Sequence, residues 1–386
     1  MPMLPRFRNE REIIECFSVD DTVFLVFEGG PCAGKTTGFC YLQEKLSNLG
    51  FTVFIFSETP TNLINAGIRP EANGFDFDTF EHIVFEETLA KEVNFRRYVR
   101  HSSAKRKVVL CDRGFMDILA YTKPAFFEAL VREFGLSIPH IRDLPYHAAF
   151  HLVTAALGAE AFYTLANNTA RRETLEEART QDAKTLEAWI GHPHLRVIDN
   201  STDFEGKLKR LFQEVCRVLG IPVPLEIERK YLIDPSFEPE QLPVPFVRVD
   251  IEQMYLSGGA TGNEGRIRRR GQNGASVYYR THKWELPGTF ARAETEKHIS
   301  SETYGELAQL RDPGFAVVQK DRYCFVWQGQ YFELDRFHGP APGLLLLEIE
   351  LTEENSAVSL PPFFAGAKDV TGNKMYSNYE IARIRI

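Results

Sequence analysis

The sequence predicts two domains of different fold class, an α/β domain followed by an α+β domain built on antiparallel strands. A glycine-rich segment at 29–36 stands between an apolar run and a helical pattern, which predicts a parallel sheet with flanking helices. After residue 226, charged residues recur at every second position in short strand-like segments. The proline-rich join 220–224 separates the two sets of motifs, and 386 residues suit two cores, so we expect domains at 1–222 and 223–386.

The N-terminal glycine-rich segment has the pattern GxxxxGK(S/T) of a phosphate-binding P-loop. It follows the apolar run 23–27 and precedes residues 39–46, whose apolar spacing is helical, and this strand–loop–helix order is the context that a P-loop requires. The loop amides and the helix N-terminus cradle phosphate, Lys35 reaches the outer phosphates, and the Thr36 hydroxyl ligates Mg²⁺. The predicted nucleotide-binding residues of this loop are Gly29, Gly30, Pro31, Cys32, Ala33, Gly34, Lys35, Thr36 and Thr37.

A second apolar run, 107–111, ends in Asp112 and Arg113, which is the Walker B pattern. At the end of a parallel strand, Asp112 would lie beside the metal at the carboxyl edge of the sheet. An aspartate that caps the following helix is the alternative, and one residue can fill both roles. We predict Asp112 as a metal ligand and place Asp112 and Arg113 in the nucleotide site.

Two further features of this half resemble P-loop kinases. Glu58 follows the predicted strand 52–56 and resembles the carboxylate that serves as base in nucleoside kinases, with a solvated loop glutamate as the alternative. Arg171 and Arg172 open a charged helical stretch where a lid segment of such kinases supplies phosphate-binding arginines. Surface charge pairs along a helix are the alternative interpretation of these two arginines.

Residues 20–220 as a whole resemble the AAA-type NTPase domain shared by nicotinamide riboside kinase (NadR) and the TRPL translocation defect family. The segments 29–37 and 112–117 carry this likeness. Pairing with the second domain described below points to the second family, whose protein is described as binding GTP and acidic phospholipid in membrane-protein trafficking. A guanine-reading NKxD motif is absent from the sequence, so the residues leave ATP and GTP open as ligands.

The charged segments after residue 226 are not typical of a solvated sheet face. Side chains alternate faces along a strand, so each segment aims its charged residues to one side. About eight segments carry mainly carboxylates, guanidiniums and ammoniums, whereas solvated faces mix in Ser, Thr, Asn and Gln. For any single segment an antiparallel sheet with one wet face is the expected alternative. The whole set favours a cavity that holds metal ions on carboxylates and phosphates on Arg and Lys.

The same segments resemble the CYTH domain of the triphosphate tunnel metalloenzymes. Residues 226–230 match its ExExK signature, later segments match in order up to 370–378, and the resemblance covers about 223–386. It implies an eight-stranded antiparallel β-barrel, a size that can enclose one small ligand. It also implies a tunnel that binds a triphosphate with one or two divalent cations, Mg²⁺ or Mn²⁺.

The resemblance implies roles for individual residues of this second half. Three residues of the signature, together with Glu58 of the first half, form the candidate catalytic set: Glu226, Glu228 and Lys230. The implied metal ligands are Glu226, Glu228, Glu348 and Glu350, with Glu294, Glu296 and Asp335 either near the metal or orienting a water. The implied phosphate ligands are Lys230, Arg266, Arg268, Lys283, Arg292, Lys320, Arg322 and Lys374.

Composition limits the partners and the location. A net charge of −8 argues against a general nucleic-acid or anionic-membrane surface, although the basic run 96–107 leaves lipid head-group contact as an alternative to a solvated helix face. Six scattered cysteines without a CxxC pair fit a reduced compartment. No apolar run reaches the length of a membrane span, so we expect a cytoplasmic protein, with peripheral membrane association as the alternative.

Together these features predict a metal-dependent triphosphatase that acts on inorganic triphosphate, another phosphorylated small molecule or a nucleoside triphosphate in the tunnel. The tunnel would be coupled to a P-loop domain that binds ATP or GTP. One alternative is a GTP-binding trafficking adaptor that captures phosphatidic acid or phosphoinositide without chemistry. A further alternative is a nucleoside-like small-molecule kinase with Glu58 as base and the second domain as a regulatory module. None of these interpretations involves nucleic acid.

Overall fold

The structure is a computed structural model that describes residues 10–18, 22–163, 174–221, 228–257, 263–285, 292–351 and 357–384. The chain divides into two compact units, Met1–Phe212 and Gln213–Ile386. The predicted domain boundary between 222 and 223 falls in a stretch outside the described residues and stays a prediction.

The first unit is built on a parallel sheet. Its strands are β1 (Thr22–Glu28), β2 (Thr52–Phe56), β3 (Lys107–Asp112), β4 (Ala148–Leu152) and β5 (Leu195–Ile198). They pair in the order β2-β3-β1-β4-β5, and all neighbours are parallel. The central strands are buried on both faces and therefore read as continuous apolar runs. The prediction of a parallel α/β sheet is confirmed.

Helices connect these strands. They are α1 (Glu10–Ser18), α2 (Lys35–Asn48), α3 (Thr59–Asn65), α4 (Phe77–Arg100), α5 (Pro124–Glu133), α6 (Ile138–Arg142), α7 (Leu175–Trp189) and α8 (Phe204–Val218), the last of which contains the division between the units. Because strands β1, β2 and β3 run parallel, their carboxyl ends meet at one edge of the sheet. That edge brings together the glycine-rich loop, Glu58 and Asp112.

Two charged stretches of the first unit have packed or capped residues in the structure. The stretch predicted to be helical at 172–179 is described from Thr174 onward, where α7 begins at Leu175 and Thr174 and Glu177 cap the helix reciprocally. The basic run 96–107 is not a uniform solvated face, because Arg96 is 1% exposed. Its guanidinium lies 3.6 Å from the centre of the Phe24 ring and pairs with Glu92.

The second unit is built on an antiparallel sheet. Its strands are β6 (Glu228–Ile233), β7 (Phe246–Tyr255), β8 (Asn263–Gln272), β9 (Ala275–Glu285), β10 (Arg292–Ile299), β11 (Val318–Trp327), β12 (Gln330–Gly339), β13 (Leu345–Glu350) and β14 (Lys368–Asp369), with helices α9 (Ser301–Ala308) and α10 (Asn378–Ala382). The strand order is β10-β9-β8-β7-β11-β12-β13-β6-β14. Eight strands have 6 to 11 residues and β14 has two.

The antiparallel sheet is confirmed, and its closure into an eight-stranded tunnel stays a prediction. One face of strands β6, β11, β12 and β13 packs an apolar cluster that includes Tyr231, Phe325, Leu334 and Leu347. The alternate residues of the same strands carry the charges. Within the part of the chain that the structure describes, none of the helices combines the length and the apolar character that a membrane span requires.

Candidate functional site

The glycine-rich loop of the first unit has the geometry of a P-loop. It runs from the end of β1 to the first turn of α2, with Gly29 at φ 141° and Gly34 at φ 92°. A Cβ on Gly29 would lie 2.2 Å from the Leu152 carbonyl oxygen, and one on Gly34 would lie 2.8 Å from the Phe204 ring. Both positions therefore require glycine. Gly34 gives α2 no side-chain cap, so the first amides of this helix can bind an anion.

Lys35 and Asp112 line the cavity at the P-loop. The Lys35 ammonium donates to the Gly29 carbonyl oxygen over 3.1 Å, and burial lowers its pKa. Burial also raises the pKa of Asp112, although Lys35 acts in the opposite direction. Asp112 Oδ1 is buried, and the described residues offer it no hydrogen-bond partner. This carboxylate oxygen and the Thr36 hydroxyl belong to residues that line the same cavity, and both are oxygen ligands of the kind that Mg²⁺ prefers.

Glu58 is ion-paired rather than solvated. Its Oε2 accepts from Arg113 Nε over 2.8 Å, and Thr61 donates to its Oε1. Burial acts to raise the pKa of Glu58, but Arg113 and Thr61 hold the pKa below its ordinary value. Arg113 also donates to the Tyr121 hydroxyl over 3.1 Å. Glu58 is therefore an ionised carboxylate at the loop, and its function as a base stays a prediction.

These groups line one cavity of about 1450 Å³. Pockets for a single small molecule typically have volumes of about 300 to 1000 Å³, so this cavity can hold a nucleotide and a second ligand. One group of lining residues comes from the P-loop and from residues 200–207. The other comes from the end of β2, from α3 and α4, and from the segment after β3.

A buried network that no sequence motif predicts holds the backbone of the P-loop in place. Asp182 Oδ1 accepts from the Gly30 amide over 2.7 Å and from the Thr154 amide over 3.0 Å. Its Oδ2 lies 3.2 Å from His151 Nε2, and His151 Nδ1 lies 2.9 Å from both carboxylate oxygens of Glu28. Asp182 is 5% exposed, and His151 and Glu28 are fully buried.

The charges of this network are coupled. Burial raises the pKa of Glu28 to about 7 even though His151 lowers it. Burial would lower the pKa of His151, but the two flanking carboxylates, Glu28 and Asp182, raise it to about 10. The imidazolium is therefore the bridge that holds two carboxylates under the loop.

Lys207 supplies a second anchor. Its ammonium donates to the carbonyl oxygens of Ala33 and Val153 over 3.1 and 2.6 Å, and to Asn200 Oδ1 over 2.8 Å. Burial lowers its pKa to about 8. In the sequence, Lys207 and Asp182 are ordinary polar residues of amphipathic helices, and only Glu28 stands next to a motif. No local signal identifies them.

In the second unit, strand register gathers the predicted residues on one face of the sheet. Glu348 pairs with Lys230 and Glu350 with Glu228 across β13 and β6, and Arg322 pairs with Asp335 across β11 and β12. The same register continues through β7, β8, β9 and β10. We call this side the ionic face, and it holds Glu228, Lys230, Arg266, Arg268, Glu296, Lys320, Arg322, Asp335, Glu348 and Glu350. Lys283, Arg292 and Glu294 occupy the corresponding register positions of β9 and β10.

The charges at the centre of the ionic face are buried and paired. Lys230 Nζ lies 2.7 Å from Glu348 Oε1, and Arg322 Nη2 lies 3.0 Å from Glu348 Oε2. Asp335, 0% exposed, accepts from both Arg322 and Lys320. Burial acts to raise the pKa of Glu348, but the surrounding cations hold it well below its ordinary value. The alternative of a solvated sheet face does not hold for these residues.

The structure gives fewer contacts for the remaining predicted residues of this unit. Arg268 Nη2 pairs with Glu296 over 2.8 Å. For Lys283, Arg292 and Glu294 only the strand position is described, and Glu226, like Arg171 and Arg172, lies outside the described residues. Lys374 is exposed in the short turn Lys374–Tyr376.

The carboxylates of the ionic face fit a cation at one place. Most of the predicted metal ligands are engaged by lysine or arginine, and no cluster of three or more His, Cys, Asp or Glu suited to a metal occurs in the described part of the chain. Glu228, which also lies 3.2 Å from Lys230 Nζ, is directly opposite Glu350 on the neighbouring strand. Like charges in that arrangement destabilise a sheet, so a cation between them would be favourable.

Comparison with known proteins finds similarity to two kinds of protein. Residues 24–207 match the AAA domain family, so the first unit contains an AAA-like P-loop domain. An inorganic triphosphatase of Nitrosomonas europaea is 34% identical over 160 residues, which are 41% of this chain and 96% of that protein. The chain belongs to the inorganic triphosphatase family. Enzymes of that name hydrolyse phosphoanhydride bonds.

Two further matches concern this member of the inorganic triphosphatase family. A crystal structure of an inorganic triphosphatase is 31% identical and matches 41% of this chain and 93% of that chain, with a TM-score of 0.31. A thymidylate kinase of Ehrlichia canis is 30% identical over 104 residues, which are 26% of this chain and 50% of that protein. The finer assignment to the TRPL translocation defect type stays a prediction.

The hydrogen bond from the Gly30 amide to Asp182 yields a testable prediction for this triphosphatase-family chain. Asp182→Ala should raise the Kd for ATP about tenfold, because a hydrogen bond to a charged group contributes about 1.5 to 3 kcal/mol and here fixes the Gly30 amide. Isothermal titration calorimetry below the melting temperature of the variant measures this Kd. Glu187→Ala, an exposed change on the same helix, is the control, and equal ATP affinity in both variants would contradict the anchoring function.

Proposed function

We propose that the chain is a metal-dependent triphosphatase whose ionic face binds inorganic triphosphate or a nucleoside triphosphate. The observation that carries this proposal is the alignment of buried cations and carboxylates on one face by strand register. The similarity to an inorganic triphosphatase, 34% identical over 160 residues, supports it. Closure of the strands into a tunnel belongs to the same proposal.

The cations of the ionic face would bind the phosphates by exchanging partners. Lys230, Arg322 and Lys320 are now neutralised by Glu348 and Asp335. A triphosphate carries several negative charges and would take over part of this pairing, so the cations lose little solvation on binding. A divalent cation that binds with the triphosphate would offset the charge of the carboxylates released by the exchange. Arginine side chains can bind phosphate oxygens in pairs, which also fixes the orientation of the chain of phosphates.

Hydrolysis adds water to the terminal phosphorus and breaks its bond to the bridging oxygen, so that triphosphate gives phosphate and diphosphate. The cations would stabilise negative charge that develops on the leaving oxygen. Glu228 and Glu350, with Glu226, would hold Mg²⁺ or Mn²⁺, which polarises a phosphoryl group when bound. Glu296 and Asp335 lie on the same face, where they can orient the water.

The first test uses two neighbouring arginines. Arg268 lies on the ionic face and pairs with Glu296, whereas Arg269 lies on the opposite face and pairs with Asp250 over 2.6 Å. Arg268→Ala should lower kcat/KM for inorganic triphosphate about 10- to 100-fold, since a charged hydrogen bond contributes about 1.5 to 3 kcal/mol. Arg269→Ala should lower it less than twofold. A phosphate-release assay decides, and an equal loss in both variants contradicts the assignment of the face.

A second test concerns the metal. Chelation with EDTA should abolish phosphate release, and added Mg²⁺ or Mn²⁺ should restore it. Glu228→Gln and Glu350→Gln should each raise the metal concentration needed for half-maximal activity about tenfold or more, because ligand carboxylates supply both charge and coordination. Asp250→Asn on the opposite face is the control. Full activity in EDTA would overturn the metal dependence.

A specific observation favours a second activity in the first unit. The cavity of about 1450 Å³ has room for two ligands and holds Glu58 beside the P-loop. We infer a phosphotransferase in which an acceptor hydroxyl attacks the γ-phosphorus of a nucleoside triphosphate. The bond from that phosphorus to the bridging oxygen breaks, the nucleoside diphosphate leaves, and the hydroxyl proton passes to Glu58. The similarity to thymidylate kinase over 104 residues supports this inference.

Transfer of radiolabelled γ-phosphate from ATP to nucleosides tests this second activity. Lys35→Ala should abolish transfer, and Glu58→Gln should lower it about 100-fold or more, as expected for a general base. Glu44→Gln, an exposed change on α2, should have no effect. Absence of transfer to every nucleoside would remove the phosphotransferase and leave the triphosphatase untouched. GTP preference and phospholipid binding stay predictions.

A further inference from the structure

The cavity of the first unit has a part that the P-loop does not use. It is formed by apolar and aromatic side chains on β2, α3, α4 and the segment after β3, together with one acidic residue. They are Phe56, Ile64, Phe77, Phe80, Tyr121 and Glu81. Flat aromatic walls of this kind suit a ring-shaped ligand, whereas phosphate needs cations and amides.

Glu81 is the unusual member of this group. It lies in the second turn of α4, it is 6% exposed, and its neighbours Phe80, Val84 and Phe85 are buried. The described residues give its carboxyl no hydrogen bond and no ion pair. Buried polar groups are nearly always bonded, and a buried carboxyl without a partner is costly.

The surroundings of Glu81 contain one compensating charge. Burial raises the pKa of Glu81 to about 7, and Arg113 acts to lower it. The guanidinium of Arg113 is, however, committed to Glu58 over 2.8 Å and to the Tyr121 hydroxyl over 3.1 Å. The carboxyl of Glu81 therefore lines the cavity as an acceptor, and a ligand in the cavity can supply its hydrogen-bond donors.

The ligand class follows from these groups. A carboxylate accepts hydrogen bonds, so the ligand edge that meets Glu81 must present N–H donors. Aromatic side chains beside it favour a planar heterocycle, and Glu58 in the same cavity suits a hydroxyl. A nucleoside whose base carries an exocyclic amino group combines all three features.

We propose that Glu81 is a specificity-determining residue of a nucleoside subsite, where its carboxylate accepts hydrogen bonds from the base amino group. The subsite rests on the phosphotransferase inferred for the first unit, in which this nucleoside is the acceptor. Such a subsite should distinguish two nucleosides that differ only by one amino group. A site built to bond an amino group rejects the analogue that lacks it, because the buried acceptor is then left unpaired.

The experiment compares two pairs of nucleosides that differ by an amino group, cytidine with uridine and guanosine with inosine. Binding to the full chain is measured by calorimetry in the presence of Mg²⁺ and saturating non-hydrolysable ATP analogue, so that the P-loop is filled. The wild-type protein should bind at least one amino-bearing nucleoside about tenfold or more tightly than its partner. Glu81→Gln should reduce this ratio to within about twofold, because an amide both donates and accepts.

Glu87→Gln is the matched control, since it removes the same charge from an exposed position of the same helix. It should keep the wild-type ratio. Thermal unfolding separates loss of the fold from loss of the subsite: Glu81→Gln should melt at or above the wild-type temperature, because it removes an unpaired buried charge. A clearly lower melting temperature would show that the carboxyl is structural and would overturn the proposal.

The remaining outcomes are equally decisive. Equal binding within both nucleoside pairs, no binding of any of the four, or an unchanged ratio in Glu81→Gln overturns the subsite. Phosphate transfer is read in parallel with ATP. The predicted binding ratios without transfer would support the subsite and contradict the phosphotransferase, so the two failures are distinguishable.

Discussion

Neutralisation of buried charge by opposite charge is the constraint on which the second unit depends. Asp335 is fully buried between Lys320 and Arg322, and Glu348 is held between Arg322 and Lys230. Removing one member of such a set leaves an uncompensated charge that costs about 3 to 5 kcal/mol. The alternate residues of the same strands form an apolar cluster. A register slip of one residue would exchange the two sets, so charge pairing and strand register specify each other.

In the first unit, buried opposite charges also neutralise each other, and there they support the P-loop. His151 carries a positive charge between Glu28 and Asp182, and Asp182 passes this support to the Gly30 amide. Lys207 also supports the loop, because its ammonium donates a hydrogen bond to the Ala33 carbonyl oxygen. The loop backbone is thus fixed before any phosphate arrives, and a site that is already ordered loses less entropy on binding.

The two candidate sites differ in how they would recognise a ligand. The ionic face offers many cations along one surface, which suits a compact polyanion whose charge is spread over several phosphates. The cavity of the first unit offers one phosphate loop and an aromatic wall, which suits a ligand with a polar and an apolar end. Glu81 stands apart from both, because every other buried carboxylate discussed above has a bonded partner or lies beside the P-loop lysine. Perturbed ionisable groups of this kind concentrate at functional sites.

The sequence by itself determined the features that depend on local geometry. Gly29 and Gly34 mark the P-loop, because its backbone conformations exclude a side chain. The alternation in 226–230 and 348–350 predicted which residues share a face, since side chains alternate along a strand. The ends of β2 and β3 likewise identified Glu58 and Asp112 as neighbours of the loop.

Only the tertiary structure decided which distant residues complete these sites. Asp182 lies 152 residues from Gly30, and His151 lies 123 residues from Glu28, so no local pattern encodes either contact. Arg96 stands in a basic run that predicts a solvated face, yet the turn of α4 carries it inward onto Phe24. Glu81 has the sequence surroundings of a surface helix. Its burial comes from packing that brings elements far apart in the chain together around one cavity, and packing of that kind has no period to be seen in a sequence.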